Sequence, residues 1–129
     1  MAGIPLNTFK NINLPLTANN IVLYSTATGL TSIVLMAQAT NINVNGAAQE
    51  VTFQYYRNTF NTGLTPGAEV PGNFAGNAIV IAQSAVIPPG DSLILLSGKL
   101  VLETFDFIAA QSDSIDVHFI GSVLETANQ

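Results

Sequence analysis

Apolar and polar residues alternate with a period of two along parts of this chain. The stretch 51–56 reads VTFQYY, and the stretch 115–123 reads IDVHFIGSV. Since successive side chains of a strand point to opposite faces, the pattern predicts two strands with one face on a core. In the strand 51–56, the alternation directs Val51, Phe53 and Tyr55 inward and Tyr56 outward.

Three further stretches, 30–40, 77–87 and 93–102, are almost continuously rich in Ile, Val, Leu and Ala. They are typical of strands that are covered on both sides. Turn residues separate the strands, and in the PPGD turn at 88–91 Gly90 accepts the positive φ of a type II turn. This rhythm predicts an all-β fold, an antiparallel β-sandwich of jelly-roll or Ig-like type with about seven or eight strands. A small β-barrel is the second choice.

Two stretches interrupt the strand rhythm. Residues 1–19 are rich in Asn, Thr and Pro, and fit either an extended N-terminal arm that joins a neighbouring subunit or the first strand of the chain's own sheet. Residues 58–77 contain four Gly and two Pro. They predict a long loop, with a short strand near 68–70, that serves assembly. Residues 20–129 are expected to form a single sandwich domain.

The composition limits the classes of partner. The chain has 129 residues, of which 3 are basic and 8 acidic, and 48% are hydrophobic. Charged residues make up 9%, against about 25% in ordinary domains, so part of the surface is expected to face a partner. A net charge of -5 argues against nucleic acid. With neither a signal-peptide pattern nor an apolar run of about 18 residues, we expect synthesis in a host cytoplasm and no membrane contact.

The sequence offers little catalytic chemistry. His118 is the single histidine, and no Gly-x-Ser-x-Gly motif accompanies the serines near it, so we expect a surface or interface histidine. Four neighbouring carboxylates lack the ligand rhythm of a calcium loop and are interpreted as turn formers: Glu103, Asp106, Asp113 and Asp116. We therefore assign no catalytic residue, no cofactor and no metal ligand, and we predict that the chain is not an enzyme.

The aromatic residues allow two interpretations. The outward tyrosine, Tyr56, is expected either to contact another subunit or to stack on a sugar ring beside Asn58 and Asn61. Arg57 and Lys99 are expected to pair with carboxylates across an interface. Four phenylalanines are expected in the core: Phe53, Phe105, Phe107 and Phe119.

The succession of strands and turns resembles small β-sandwich virion proteins of tailed bacteriophages. The resemblance covers residues 20–125 and lies in the segments IVLY (21–24), LTSIVL (30–35), VTF (51–53), IPPGDS (87–92), LVLE (100–103) and VHF (117–119). In the segment FDFI (105–108), Phe105 stands where these proteins usually have glycine before the aspartate.

This resemblance implies a capsid decoration (cement) protein that clamps neighbouring shell subunits. The major capsid protein is then the expected partner. The expected oligomeric state is a homo-oligomer, preferably a trimer, and the expected location is the virion. A neck, tail or baseplate component and a carbohydrate-binding sandwich remain alternatives. The residues proposed for contacts lie in the N-terminal stretch and around the long loop: Asn7, Ile12, Leu14, Leu16, Tyr56, Arg57, Phe60, Asn61, Leu64 and Phe74.

Overall fold

A computed structural model describes residues 7–127, which form two antiparallel sheets packed face to face. The β-sandwich prediction is confirmed, with nine strands in the described part of the chain. A short 3₁₀ helix spans Gly72–Asn77. The strands are β1 (Asn7–Pro15), β2 (Ile21–Ser25), β3 (Leu30–Asn41), β4 (Gln49–Tyr56), β5 (Ala78–Ile87), β6 (Ser92–Ile94), β7 (Leu100–Leu102), β8 (Phe107–Ser112) and β9 (Val117–Ala127).

The two sheets differ in size and in strand order. The five-stranded sheet has the order β1-β9-β3-β6, and β7 pairs with another part of β3. The four-stranded sheet has the order β2-β8-β4-β5. The long strands β3 and β9, paired over almost their whole length, therefore form the middle of the larger sheet.

The core lies between the inner faces of the sheets. Phe53 of the four-stranded sheet stacks on Phe119 of the five-stranded sheet, with ring centroids 5.9 Å apart. Phe107 is also buried, so three of the four phenylalanines predicted to be buried are confirmed. Phe105 is the exception, because it lies half-buried in a turn with a φ of 70°.

Three expectations about the apolar stretches are wrong. The stretch 30–40 forms β3, whose outward side chains, such as Ile33 and Gln38, are only partly buried. The stretch 93–102 is not one strand: it leaves β3 after β6, turns at Gly98 with a φ of 97°, and returns to β3 as β7. The stretch 77–87 is not covered on both sides, since β5 is an edge strand with exposed Ile79, Val80 and Val86. The turn at 88–91 is as predicted: Asp91 N–H donates to the Pro88 carbonyl at 3.1 Å, and Gly90 has a φ of 73°.

The N-terminal stretch joins the chain's own sheet from residue 7 onward. β1 pairs with β9 from Asn7 opposite Thr126 to Pro15 opposite His118. Residues 1–6 of the proposed arm lie outside the described residues. Of the two alternatives for this stretch, the pairing of residues 7–15 corresponds to the first strand of the sheet.

The long loop covers part of the outer face of the four-stranded sheet, over β2, β8 and the end of β4. Val22 N–H donates to the Ala68 carbonyl at 2.8 Å, and the Gly67 N–H donates back to the Val22 carbonyl at 2.7 Å. Phe74, at the centre of the 3₁₀ helix, packs edge-on against Phe107 with centroids 5.1 Å apart. A second apolar cluster therefore forms beneath the loop, outside the main core.

Candidate interaction surface

Within residues 7–127, no loop covers the outer face of the five-stranded sheet as the long loop covers part of the other sheet. Strand register places its outward side chains in rows across the sheet. One row is entirely apolar: Phe9 on β1 faces Leu124 on β9, which faces Ile33 on β3, which faces Val101 on β7. A second row is Asn13, Ile120, Gln38 and Ile94. We call this outer surface of β1, β9, β3, β6 and β7 the bare face.

Several large apolar side chains of the bare face are open to solvent. The exposed fractions are 71% for Phe9, 69% for Ile94, 55% for Val101 and 42% for Ile120. Single exposed apolar residues are normal on a protein surface, but several of them on neighbouring strands of one face are the pattern of an interaction site. The bare face is therefore the strongest candidate for a contact surface within residues 7–127.

The bare face carries no charged side chain at its outward strand positions. Its polar residues are amides, hydroxyls and His118. Lys10 and Glu125 belong to β1 and β9, but they occupy the opposite side of the sheet and form an ion pair at 3.5 Å. The remaining charges lie in loops, turns and the four-stranded sheet. Because depletion of charge distinguishes the centre of an interface from ordinary surface, this distribution indicates a contact face.

Four of the proposed contact residues are buried within the chain, so these proposals are corrected. Ile12 and Leu16 pack into the main core, and Tyr56 and Phe74 form part of the cluster beneath the long loop. Tyr56 lies on the outer side of its sheet, but the loop covers it and its ring stacks on Phe107 at 4.7 Å. Since Tyr56 and Asn58 are both buried, the sugar-binding platform they were expected to form is absent from the surface.

The other six proposed contact residues are accessible at least in part. Asn7 and Leu14 lie on β1, at the edge of the bare face's own sheet. The remaining four lie together at the start of the long loop, with Leu64 half-buried and the others exposed: Arg57, Phe60, Asn61 and Leu64. The accessible residues thus lie on two elements, β1 and the start of the long loop.

Arg57 pairs within its own chain. Its guanidinium lies 3.6 Å from the Glu103 carboxylate, and both side chains are largely exposed. The pair borders an open depression of about 440 Å³ whose lining is polar. Arg57 thus has a partner within its own chain, and its pairing across an interface stays a prediction.

Asp106 holds the floor of this depression together. Its buried carboxylate accepts hydrogen bonds from the Tyr55 hydroxyl at 2.8 Å, from Asn58 N–H at 3.1 Å and from Glu103 N–H at 3.1 Å. Burial and the hydrogen bond to Asp106 raise the pKa of Tyr55 to about 12. The protonated phenol acts as a donor that ties β4 to the β7–β8 turn.

The groups that a hydrolase would need are not assembled around His118. His118 is exposed on β9, as expected, between Pro15 and Thr40 of the neighbouring strands. Ser112 donates to the Ser114 carbonyl, and Asp116 accepts from the Asn43 amide at 3.1 Å. Within residues 7–127, no group of three or more His, Cys, Asp or Glu side chains has the arrangement of a metal site.

One buried polar cluster was missed at the sequence level. The Tyr24 hydroxyl donates to Glu125 and lies 2.8 Å from the Ser32 hydroxyl, between the two sheets. Burial and the hydrogen bond to Glu125 raise the pKa of Tyr24 well above its usual range. The signal was present in the sequence, because the alternation of β9 continues to Glu125 and places it inward with Val123.

Comparisons with known proteins identify no family for this chain. No protein-family model and no curated protein matches it. A solved chain described under "Bacillus endospore appendages form a novel family of disulfide-linked pili" is similar with a TM-score of 0.46 and 12% identity, over 97% of this chain and 89% of that chain. A pentameric capsid protein isolated from metagenomic phage sequences is similar with a TM-score of 0.38 and 13% identity, over 91% of this chain and 60% of that one. This chain thus spans less than two thirds of that capsid protein's length.

No helix within residues 7–127 has the length and apolar character needed to cross a bilayer.

Proposed function

We propose that this chain is a non-enzymatic structural protein of a phage virion and that it acts as a capsid decoration protein. The observation that carries the structural role is the bare face, a wide β-surface with an apolar row and no charge at its outward positions. Such a surface is suited to extensive neutral contacts in an assembly. The virion setting rests on the resemblance of residues 20–125 to small phage β-sandwich proteins.

The loop region supplies a second contact element in this proposal. Phe60 and Asn61 are exposed at the end of the sandwich where the long loop begins, and Phe60 packs edge-on against buried Phe74 at 5.0 Å. Phe60 is therefore held in place and still accessible to a shell protein. A decoration protein that binds a preformed shell stabilises it by linkage, because it binds the assembled state in preference to separated subunits.

The composition of purified particles tests this function. Particles released by the organism that encodes the chain are banded on a density gradient, and mass spectrometry measures the copy number of the chain relative to the major shell protein. We expect a copy number comparable to that of the shell protein. A much lower copy number in the same particles would favour a neck, tail or baseplate position, and absence from the particles would refute the virion proposal.

A direct binding test examines the decoration role. Particles stripped of the chain are incubated with the purified wild-type chain or with a Phe60→Ser variant, and their thermal stability is compared. We expect the wild-type chain to raise the temperature at which the shell opens, and the variant to bind more weakly. A Thr62→Ser change, at an exposed neighbouring position, is the matched control.

A further inference from the structure

We infer that the bare face binds the bare face of a second copy of this chain, forming a closed dimer in which two five-stranded sheets pack against each other. The inference deepens the proposed structural function, because it names the partner of one of its surfaces. It depends on the arrangement of neutral and charged residues, on the area of the face and on the nature of the sheet edges.

The neutrality of the bare face favours a second copy over a foreign partner. Each chain carries a net charge of -5, so two copies repel each other wherever their acidic loops approach. Contact through the bare face keeps those charges on the outside. It also buries no ion, which avoids the high desolvation cost of a charged group. A face without charge offers no complementary field to attract an oppositely charged protein.

The polar residues of the bare face are able to satisfy one another. Asn7, Asn11 and Asn13 on β1 and Gln38 on β3 are amides, each with both donors and acceptors. The hydroxyl side chain of Ser122 has the same dual capacity, and the Thr126 hydroxyl already donates to the Asn7 amide oxygen at 3.0 Å. A surface whose groups both donate and accept is complementary to itself, which is the requirement of an interface between identical patches.

The area is sufficient for a stable dimer. The face is up to four strands wide, because β6 and β7 pair with different parts of β3, and its strands β1, β9, β3, β6 and β7 have 9, 11, 12, 3 and 3 residues. At a strand spacing of about 4.8 Å and a rise of about 3.3 Å per residue, each residue covers about 16 Å² of the sheet. This gives about 600 Å² per copy before side-chain relief is included, and two copies reach the roughly 1,200 Å² at which specific interfaces begin.

The sheet edges are poor alternatives for self-association. On one edge of the five-stranded sheet, β1 carries Lys10 and Pro15, and on the other edge β6 and β7 have only three residues each; these features disfavour the addition of another strand. On the edge of the four-stranded sheet, the pairing of β5 with β4 shifts register twice, and Ser84 has a φ of 47°. Such irregularities protect edges from pairing. The bare face is left as the regular surface on which a second copy can pack.

Two sheets that pack by identical faces are related by a two-fold axis in the plane between them. The same face cannot serve a three-fold ring, in which each copy contacts its two neighbours through different surfaces. The dimer therefore differs from the trimer expected from the phage resemblance.

Light scattering coupled to size exclusion tests the dimer on the full chain. We expect the wild-type chain to elute with twice its mass of 13.5 kDa at micromolar concentration. Ile120→Lys, near the centre of the face, and Ile94→Lys, at a highly exposed position on β6, should each raise the dimer dissociation constant about 100-fold or more, because each buries unpaired charges. Val86→Lys, at an exposed apolar position on β5 of the other sheet, is the matched control and should leave the dimer intact.

A charge-complementation experiment distinguishes a second copy from any other occupant. Ile120→Lys and Ile120→Glu are each expected to be monomeric, and a mixture of the two is expected to form a heterodimer. Three outcomes would overturn the inference. They are a wild-type chain that is monomeric at 100 μM, which is about 100-fold above a micromolar dissociation constant, a wild-type trimer, and a Val86→Lys variant that dissociates as Ile120→Lys does. Circular dichroism confirms that each variant is folded. These outcomes are independent of particle composition, so the dimer can fail while the virion proposal stands.

Discussion

Removal of the Phe74 ring is expected to release the long loop from the four-stranded sheet. Phe74 is buried at the centre of the 3₁₀ helix and packs edge-on against both Phe60 and Phe107. Its replacement by alanine leaves a cavity above Phe107 and removes the main apolar anchor of a loop that is rich in glycine and proline. The second apolar cluster should therefore lose its cover.

The magnitude follows from the depth of burial. Phe→Ala changes in a core cost about 3–5 kcal/mol. A chain of 129 residues has an unfolding entropy of about 0.27 kcal/mol/K, so the melting temperature should fall by about 11–18 °C. Phe60→Ala is the matched control, because the same ring is 49% exposed there and its removal should cost about 1 kcal/mol, or about 4 °C.

Thermal unfolding followed by circular dichroism measures both variants, and limited proteolysis locates the effect. We expect Phe74→Ala to be cleaved within residues 58–77 under conditions in which the wild-type chain and Phe60→Ala stay intact. Equal losses of melting temperature in the two variants, or cleavage outside the loop, would refute the assignment of Phe74 as the anchor.

Three further predictions concern the turn and the hydrogen bonds around Asp106. Phe105 has a φ of 70°, so Phe105→Gly should be more stable than Phe105→Ala by about 1 kcal/mol in urea unfolding. A higher free energy of unfolding for the alanine variant would contradict this. Asp106→Asn replaces one of the two carboxylate oxygens, which accept three hydrogen bonds between them, with an NH₂ donor, and should cost about 2 kcal/mol in the same assay, against less than about 1 kcal/mol for exposed Asp113→Asn. The folded state holds the Tyr55 proton more tightly than the unfolded state, whose pKa is 10.0, so stability should be full below pH 10 and fall as the pH rises toward about 12. In Tyr55→Phe, the urea midpoint should fall less steeply as the pH rises. An unchanged slope would argue that Tyr55 does not cause the loss of stability.

Much of the fold was predictable because its signals are local. The alternation in 51–56 and 115–123 depends only on the geometry of a strand, and it correctly placed Val51, Phe53 and Phe119 in the core. The turn at Gly90 followed from residue types that restrict backbone angles. Glycine is favoured over Phe at a positive φ, so the unusual residue noted before Asp106 also marked a real feature of the turn.

The errors have a shared physical origin. Alternation tells which face of a strand a residue occupies, but it does not tell what covers that face. Tyr56 points outward from the sandwich as predicted, yet it is buried by Phe74, which lies elsewhere in the sequence. Conversely, the apolar residues of β5 and of the bare face looked like core residues, although strand order leaves them exposed. Strand order depends on contacts between distant segments, which a short pattern does not encode.

The difference between the two outer faces has a consequence for the size of the assembly. A sandwich with two bare faces would stack without limit, because each added copy would present a fresh face to the next. Here the long loop, anchored by Phe74, covers part of the second face, and the edge strands β1 and β5 carry features that oppose pairing. In the proposed dimer, association through the bare face therefore closes after two copies. The loop then limits contact on its own side of the sandwich, while its end at Phe60 and Asn61 stays exposed.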